Sequence, residues 1–447
     1  MRHANNYIHD LRKWNIIYII LKSRKGECIM KSYIIEGGKK LSGEVKISGS
    51  KNASLPIIAS SILNSNITKL YNVPNIKDTR ITLKILRLLG CKIKQNSGKI
   101  EINSKKMNKK EIPEELMREM RSTVILAGAI LGRFKEVTFS YPGGCDIGSR
   151  PIDLHLNAFE KLGVQIEEEA GFIHCKCDKI VGNDINLDFP SVGATENIIL
   201  ASVYAEGITK ITNAAMEPEI EDLAKCLNKM GAKIEGAGTN EIKITGVKKL
   251  KPIGYSVMPD RIEEGTFLCM AAATLGKIKL VNVEAKHLDP VINKLQEAGC
   301  LITIEKNSIQ LEAPKRIKPL EIKTMPYPGF PTDLQPIFGA MLVTAKGTSV
   351  IIENIFENRY KYITELKRMG AKPTIEGKMA VIKGVKKLSC ANVESADLRG
   401  GAALVLAALK AKGKTKISNI EYILRGYEKL DEKLTKLGAC ISLEEGE

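Results

Sequence analysis

The sequence contains few aromatic residues and no long hydrophobic stretch. Phe, Trp and Tyr make up 5% of its 447 residues, and Trp14 is the single tryptophan. Proteins that hold single-stranded nucleic acid stack its bases on aromatic side chains, so this composition argues against that class of protein. An apolar run at residues 16–21 lies between Lys13 and Lys22, but it is too short to span a bilayer or to form a cleavable secretion signal.

Residues 1–29 differ from the rest of the chain. Apart from the short apolar run at residues 16–21 they show no recognisable pattern. We interpret them as a dispensable or mis-assigned leader, so that the working protein starts near Met30. A weak membrane-surface anchor is the alternative. In either case the sequence predicts no membrane insertion.

Metal-binding cysteine patterns are also missing. None of the ten cysteines forms a CxxC pair, and Cys175 and Cys177 are too close together for a normal zinc knuckle. We therefore predict no metal site, and free thiols in a reducing cytosol. Five cysteines in apolar helical stretches or beside strands are predicted to be small buried core residues: Cys91, Cys226, Cys269, Cys300 and Cys440.

Positive charge is abundant but dispersed. The formal net charge is +17, and the basic residues occur in ones and twos, as at Lys248 and Lys249, with no block of five or six. Such an excess of positive charge can bind nucleic acid, an anionic membrane surface or anionic small substrates. The dispersed pattern favours anionic substrates, with nucleic acid as the alternative.

The chain repeats one structural pattern six times at intervals of about 70 residues. Each copy has a strand, an amphipathic helix closed by a glycine, and a second strand with alternating apolar residues. The closing glycines are Gly90, Gly163, Gly231, Gly299, Gly370 and Gly438. A further helix recurs in each copy and is apolar nearly all round, which predicts a position inside a domain.

These patterns predict an α/β protein with two domains of three units each. The expected architecture is an inside-out α/β barrel in each domain, with the apolar helices buried and the sheets outside. Residues 30–50 and 258–447 would form the first domain from both ends of the chain. Residues 51–257 would form the second, and Pro252 and Gly254 mark the crossover.

Basic residues begin four of the six buried helices, at Lys51, Arg121, Arg261 and Arg399. Cations at a helix N-terminus oppose the helix dipole, so a bound polyanion best explains the set. The alternatives for any single residue are surface exposure or a partner carboxylate such as Glu263 or Asp397. Ser191 and Asp333 begin the other two helices.

Cys145 differs from the other cysteines because it lies in a glycine-rich loop, Pro-Gly-Gly-Cys-Asp-Ile-Gly-Ser-Arg-Pro at residues 142–151. Three glycines let the backbone approach a ligand closely. Arg150 is near in sequence, and a close cation favours the thiolate form of a cysteine. The loop is therefore predicted to carry a reactive thiol.

The loop and eight further phrases resemble the UDP-N-acetylglucosamine enolpyruvyl transferase family. The resemblance covers Met30 to the C-terminus. Its other phrases begin at Ser48, Met120, Ser191, Pro259, Phe330, Phe356, Asp397 and Arg425. Two segments depart from the family pattern. Met216 stands where an arginine is common, and Phe189 and Pro190 replace a basic residue that some members have just before Ser191.

The resemblance implies transfer of the enolpyruvyl group of phosphoenolpyruvate to the 3′-hydroxyl of UDP-N-acetylglucosamine with release of phosphate, the first committed step of peptidoglycan synthesis. It implies that Cys145 donates a proton to the methylene carbon and that Asp333 takes the sugar proton, although Asp333 could instead be an N-cap. Lys51, Arg150 and Arg425 would hold the phosphate, and Arg359 and Arg399 the carboxylate and developing charge.

The same resemblance implies a binding surface for the sugar nucleotide and requires neither a metal nor a cofactor. The implied contacts are Asn52, Arg121, Arg150, Pro151, Ile152, Asp153, Leu154, Ser191, Val192, Gly193, Asp333 and the backbone at Ile355. Three alternatives stay open at this point. They are 5-enolpyruvylshikimate-3-phosphate synthase, a silent paralogue that binds UDP-sugars, and an RNA-binding protein built from similar repeats.

Overall fold

The computed structural model describes residues 31–96, 98–143, 147–148 and 152–445. The predictions for residues 1–29, Cys145, Arg150 and Pro151 lie outside these residues. The described helices are α1 Lys51–Ser60, α2 Lys77–Leu88, α3 Glu114–Glu119, α4 Ile125–Phe134, α5 Asp153–Lys161, α6 Val192–Ser202, α7 Pro218–Met230, α8 Arg261–Ala273, α9 Asp289–Glu297, α10 Gln335–Leu342, α11 Tyr362–Arg368, α12 Leu398–Lys410 and α13 Leu430–Lys436. Short 3₁₀ helices cover Arg121–Val124, Ala285–Leu288, Thr332–Leu334 and Ile420–Arg425.

The described strands are short and regularly spaced. In chain order they are β1 Lys31–Glu36, β2 Ser42–Lys46, β3 Ile67–Tyr71, β4 Lys92–Asn96, β5 Lys99–Asn103, β6 Glu136–Ser140, β7 Gln165–Glu169, β8 Phe172–Lys176, β9 Asp184–Asn186, β10 Ile208–Thr212, β11 Lys233–Glu235, β12 Glu241–Thr245, β13 Gly254–Ser256, β14 Lys277–Val281, β15 Leu301–Glu305, β16 Ser308–Glu312, β17 Glu321–Lys323, β18 Thr348–Ile352, β19 Lys372–Glu376, β20 Met379–Lys383, β21 Asn392–Glu394, β22 Lys414–Ser418 and β23 Cys440–Glu445.

The strands form six separate sheets that share one pattern. Five sheets have four strands, with orders β21-β22-β1-β23, β11-β12-β10-β9, β13-β3-β5-β4, β15-β16-β14-β2 and β17-β18-β20-β19, and the sixth has the order β6-β8-β7. In the four-stranded sheets one edge strand runs parallel to its neighbour and the other pairings are antiparallel, as in β9-β10-β12. The mixed α/β prediction is confirmed.

The barrel prediction is not supported in the described part of the chain, because its strands form no closed ring. Each sheet is open at both edges. In the five four-stranded sheets the parallel edge strand is three to five residues long and pairs on one side only, and both pairings of β6-β8-β7 are antiparallel. Alternating burial, as in β12, places one face of such a strand against the core and the other toward solvent.

Two of the four-stranded sheets contain strands from the start of the described chain. β1 lies between β22 and β23 and is antiparallel to both. β2 runs parallel to β14 and forms the edge of that sheet. Residues 31–46 therefore pack with the C-terminal part of the protein.

The helices that the sequence predicts to be inside are the most buried elements. In α8 and α12 nearly every side chain is excluded from solvent. Buried apolar residues form two clusters, one from residues 53–258 and one from residues 33–47 with 262–439. Among the cysteines predicted to be core residues, Cys91, Cys226, Cys269 and Cys300 are buried, whereas Cys440 is only half-buried because its sulfur faces Lys39.

The chain passes between the two clusters at two points, and these two segments pair with each other. Gly49 forms an antiparallel bridge with Pro259, the Ser50 N–H donates to the Met258 carbonyl at 2.7 Å, and the Asp260 N–H donates to the Ser48 carbonyl at 2.9 Å. A Cβ atom at Gly49 would lie 1.6 Å from the Asn72 carbonyl oxygen. Only glycine permits this close approach.

Among the described residues, no helix is long and apolar enough to cross a bilayer.

Candidate active site

Asp333 lies at the centre of a basic cluster in the C-terminal part of the protein. Its Oδ1 accepts from Arg359 Nη2 at 2.7 Å, and its Oδ2 accepts from Arg399 Nη2 at 3.1 Å. The Asp333 side chain is 27% exposed, whereas the two arginine side chains are 2% and 3% exposed. The carboxylate therefore faces an opening while its partners are fixed behind it.

The charge state of Asp333 follows from these neighbours. Burial alone would raise the pKa of the Asp333 carboxyl, but Arg399, Arg359 and Lys51 together hold that pKa below its ordinary value. The residue belongs to the 3₁₀ helix before α10, and its carboxylate makes no helix-capping hydrogen bond. The N-cap alternative for Asp333 is therefore wrong in this structure.

Lys51 and Arg425 meet on a second carboxylate, Asp78, in the first turn of α2. Asp78 is fully buried and lies 3.3 Å from Lys51 Nζ and 2.9 Å from Arg425 Nε. Lys51 also acts electrostatically on Asp333. Direct contacts therefore bring Arg359 and Arg399 together at Asp333, and Lys51 and Arg425 together at Asp78. The charge of Lys51 connects the two groups.

Two aspartates fix the basic helix starts. Asp397 caps α12 by accepting from the Arg399 and Gly400 backbone N–H groups, and Asp260 caps α8 in the same way. Asp260 also accepts from the Lys51 backbone N–H at 2.9 Å through its second oxygen. The caps offset the unfavourable charge that a basic residue brings to the first turn.

The Arg399 guanidinium keeps two hydrogen-bond donors for a ligand. Its Nε and Nη1 are buried and have no hydrogen-bond partner among the described residues. The group lies 5.2 Å from the Tyr427 ring centroid, and despite burial Tyr427 and Asp333 raise the pKa of the guanidinium, which stays charged. A buried guanidinium with unused donors is suited to bind a carboxylate or phosphate.

Arg261 does not belong to this set. Its Nε and Nη2 donate to both carboxylate oxygens of Glu219, at 3.0 and 3.2 Å, and both side chains are buried. The partner-carboxylate alternative therefore holds for Arg261, with Glu219 in place of the predicted Glu263 or Asp397. Glu263 accepts from Lys433 instead.

Arg121 begins a 3₁₀ helix before α4 and acts electrostatically on His155 of α5. Asn197 Nδ2 lies 2.7 Å from His155 Nδ1, and Asn197 Oδ1 accepts from the Gly128 N–H. Because the amide oxygen is already used, Nδ2 is the donor and His155 Nδ1 the acceptor. Burial and Arg121 lower the pKa of His155 to about 4, so the ring is neutral at pH 7.

This buried ring makes the fold sensitive to acid. The unfolded histidine titrates near its ordinary pKa of 6.5 and the folded one near 4, so between these values the unfolded state binds more protons and stability falls as pH falls. We expect His155 to account for a loss of about 3 kcal/mol in the free energy of unfolding across this window. The difference between the free energies of unfolding from urea titrations at pH 7 and pH 4.5 measures most of this loss.

His155→Gln should lose less stability on acidification than the wild type, because its side chain does not titrate. His174→Gln, at a half-buried position on β8, is the matched control and should behave as wild type. If the wild type and His155→Gln lose the same amount of stability between pH 7 and pH 4.5, His155 is not the cause of the acid sensitivity.

The described residues expected to bind the acceptor include the starts of three helices, α1, α5 and α6. Ser191 caps α6 through its hydroxyl, and Val192 and Gly193 follow it half-exposed. A Cβ at Gly193 would lie 3.2 Å from His155 Cε1, so α5 and α6 approach closely there. On α5 and the residue before it, Ile152 is buried, Asp153 exposed and Leu154 half-buried. Asn52 is half-buried beside Lys51.

Ile355 is linked to the segment before Asp333 through Glu353, which also accepts from Thr332 Oγ1. Its N–H donates to Glu353 Oε1 at 2.8 Å, so a ligand can use only its carbonyl. The described part of the loop around the predicted thiol reaches the same region. The Asn358 N–H donates to the Ile147 carbonyl at 3.0 Å, and a Cβ at Gly148 would lie 2.3 Å from Glu357 Oε2.

Comparisons with known proteins agree on one family. The family model described as EPSP synthase (3-phosphoshikimate 1-carboxyvinyltransferase) matches residues 35–434. The chain is 51% identical over 413 residues to UDP-N-acetylglucosamine 1-carboxyvinyltransferase 2 of Caldanaerobacter subterraneus subsp. tengcongensis, covering 92% of this chain and 99% of the relative. It is 48% identical over 412 residues to the UDP-N-acetylglucosamine 1-carboxyvinyltransferase of Geobacter metallireducens, with the same shares covered.

Solved structures share the fold at low sequence identity. The enolpyruvyl transferase NikO from Streptomyces tendae has a TM-score of 0.85 and 23% identity, over 94% of this chain and 100% of that chain. An EPSP synthase from Acinetobacter baumannii has a TM-score of 0.75 and 20% identity, over 93% and 100%. The fold and the matched family model thus define the carboxyvinyltransferase class.

Within that class the chain belongs to the UDP-N-acetylglucosamine 1-carboxyvinyltransferase family, since curated members match it at about half of all positions over nearly their whole length.

Proposed function

We propose that the protein transfers the enolpyruvyl group of phosphoenolpyruvate to the 3′-hydroxyl of UDP-N-acetylglucosamine and releases phosphate, which commits the sugar nucleotide to peptidoglycan synthesis. The observation that carries the proposal is the ionised Asp333 held by Arg359 and Arg399 beside Lys51. This arrangement supplies one base and several fixed cations in a single opening. A polyanionic donor needs such cations to offset its desolvation.

The reaction proceeds by addition and then elimination. The acceptor oxygen bonds to C2 of phosphoenolpyruvate while a proton bonds to C3, which gives a tetrahedral ketal. Loss of phosphate from C2 and of a proton from C3 then restores the double bond. Asp333 takes the hydroxyl proton, and Cys145 supplies the proton at C3.

Substrate binding would turn Asp333 into a better base. In the structure its pKa is held low by the arginines, and a carboxylate with a low pKa removes protons poorly. A donor anion that recruits the unused Arg399 Nε and Nη1 shares the positive charge now directed at Asp333. The carboxyl pKa then rises as the ternary complex forms.

Phosphate binding is assigned to Lys51, Arg425 and Arg150, and carboxylate binding to Arg359 and Arg399. Asp78 supports the first group because it holds Lys51 and Arg425 together. The acceptor contacts are assigned to Arg121, Pro151, Asn52, the Ile152–Leu154 and Ser191–Gly193 segments, and the Ile355 carbonyl. Phe189 is exposed and stands with Pro190 where some members of the family have a basic residue.

The two apolar clusters also support a two-domain proposal. Residues 30–50 with 258–447 would form one domain and residues 51–257 the other, each from three repeated units arranged with helices inside and sheets outside. Asp78 and Arg425 would then join the domains across the site.

A cytosolic location is part of the proposal, since the eight described cysteines are free thiols.

Phosphate release from phosphoenolpyruvate tests the proposal directly. With UDP-N-acetylglucosamine as acceptor we expect turnover, and with shikimate-3-phosphate none. Cys145→Ala should lower the rate by about 10²–10⁴ because it removes the proton donor. Cys440→Ala, which changes a half-buried thiol elsewhere, should match the wild type.

If no phosphate is released with either acceptor, the enzymatic proposal is overturned and the silent UDP-sugar-binding paralogue is favoured. Salt-sensitive RNA binding stronger than sugar-nucleotide binding would favour the RNA-binding alternative.

A further inference from the structure

A buried glutamate behind the site connects three loops. Glu353 follows β18, and its side chain is 2% exposed. Its Oε1 accepts from Thr324 Oγ1 at 2.9 Å, from the Ile355 N–H at 2.8 Å and from the Phe356 N–H at 3.2 Å. Its Oε2 accepts from Thr332 Oγ1 at 3.0 Å. The carboxylate therefore accepts four hydrogen bonds and is fully used by the protein.

Two of these bonds fix groups that face the acceptor. Thr332 directly precedes Asp333, and its carbonyl accepts from Arg359 Nη2 at 3.2 Å. Because Glu353 holds the Thr332 hydroxyl and Arg359 holds the Thr332 carbonyl, the backbone that leads into Asp333 has little freedom. On the other side, Glu353 holds the Ile355 N–H at 2.8 Å, so of the two Ile355 backbone groups the carbonyl is the one left for the acceptor.

The third loop anchors the glutamate itself. Thr324 Oγ1 accepts from the Asn354 N–H at 2.8 Å while donating to Glu353. Asn354 Nδ2 donates to the Thr324 carbonyl at 3.1 Å. The 353–356 turn is thus tied to the strand end at Thr324 by side-chain hydrogen bonds, one of which uses the Glu353 carboxylate. They add to the backbone bond from the Thr324 N–H to the Ile352 carbonyl at 2.9 Å.

We propose that Glu353 is a positioning residue for the acceptor: it sets the distance between the Asp333 carboxylate and the Ile355 carbonyl, the two groups expected to hold the sugar hydroxyl. The inference rests on the proposed function. Glu353 touches no reacting atom. Without it, Thr332 and the 355–356 N–H groups must find other partners, and the two sides of the sugar site separate or tilt. An ångström of misplacement is enough to lose much of the rate.

Steady-state kinetics with each substrate varied in turn tests this. Glu353→Ala should raise KM for UDP-N-acetylglucosamine about tenfold or more and lower kcat, with KM for phosphoenolpyruvate little changed. Glu353→Gln should be milder, because its amide oxygen still accepts the Oε1 bonds and its NH₂ can donate to the Thr332 hydroxyl. Glu376→Ala, at an exposed position on β19, is the matched control.

A merely structural defect would lower the fraction of active enzyme, which reduces kcat and leaves both KM values unchanged. That pattern, or an unchanged acceptor KM in Glu353→Ala, overturns the inference. If Glu353→Ala fails to fold, Thr332→Val breaks only the Oε2 bond and should still raise the acceptor KM about threefold. An inactive wild type would instead refute the proposed function, so the two failures are distinct.

Discussion

Asp333→Asn is expected to lower kcat by about 10²–10⁴ while the protein still binds UDP-N-acetylglucosamine. The amide keeps the shape of the side chain but cannot take the hydroxyl proton. It also removes the negative charge between Arg359 and Arg399, whose side chains are almost completely buried. Rapid measurement of phosphate release gives the rate, and calorimetric titration with the sugar nucleotide gives the affinity.

Asp184→Asn is the control for this substitution, because Asp184 is exposed on the edge strand β9 and should behave as wild type. An Asp333→Asn enzyme that keeps more than about a tenth of the wild-type kcat would show that Asp333 is not the base, since general-base catalysis is worth at least 10²-fold.

Arg399→Lys is expected to reduce kcat/KM for phosphoenolpyruvate by about 10²–10³, although the charge is conserved. A lysine cannot reproduce a planar fork that contacts Asp333 through Nη2 and keeps Nε and Nη1 for the donor. The buried position also prevents a shorter, hydrated ammonium from adopting a new arrangement. Initial rates at varied phosphoenolpyruvate concentration measure the effect.

Arg368→Lys is the matched control, since the Arg368 side chain is 57% exposed at the end of α11. It should leave both kinetic constants unchanged. Values for Arg399→Lys within threefold of the wild type would mean that Arg399 serves only as a structural partner of Asp333.

Sequence reasoning located the repeated elements well, because each is defined by local periodicity. The six buried helices begin where polar residues interrupt the apolar pattern, although Arg121 and Asp333 lie in short 3₁₀ helices and not in the first α-turn. The barrel prediction went beyond this local information. Closure depends on how strand edges meet, which no single stretch of sequence encodes.

Charge pairing was harder to predict than charge placement. The basic helix starts were visible in the sequence, but only the structure shows that Arg261 is paired with Glu219 while Arg399 keeps unused donors. Asp78 was missed because an acidic residue in a first helical turn is ordinary. Glu353 was missed too, since the loops it joins are separated in sequence.

The position of β1 has a consequence for how the chain is made. Tyr33 pairs with Ile417, so the middle strand of this sheet is synthesised 384 residues before its neighbour. At bacterial or eukaryotic rates of synthesis this is a delay of about 20–80 s, during which β1 has no partner. When β22 and β23 finally emerge, they contact each other only through β1. Until β1 enters, both strands present open edges that other chains can pair with, so the completion of this sheet protects the newly made molecule from edge-to-edge association.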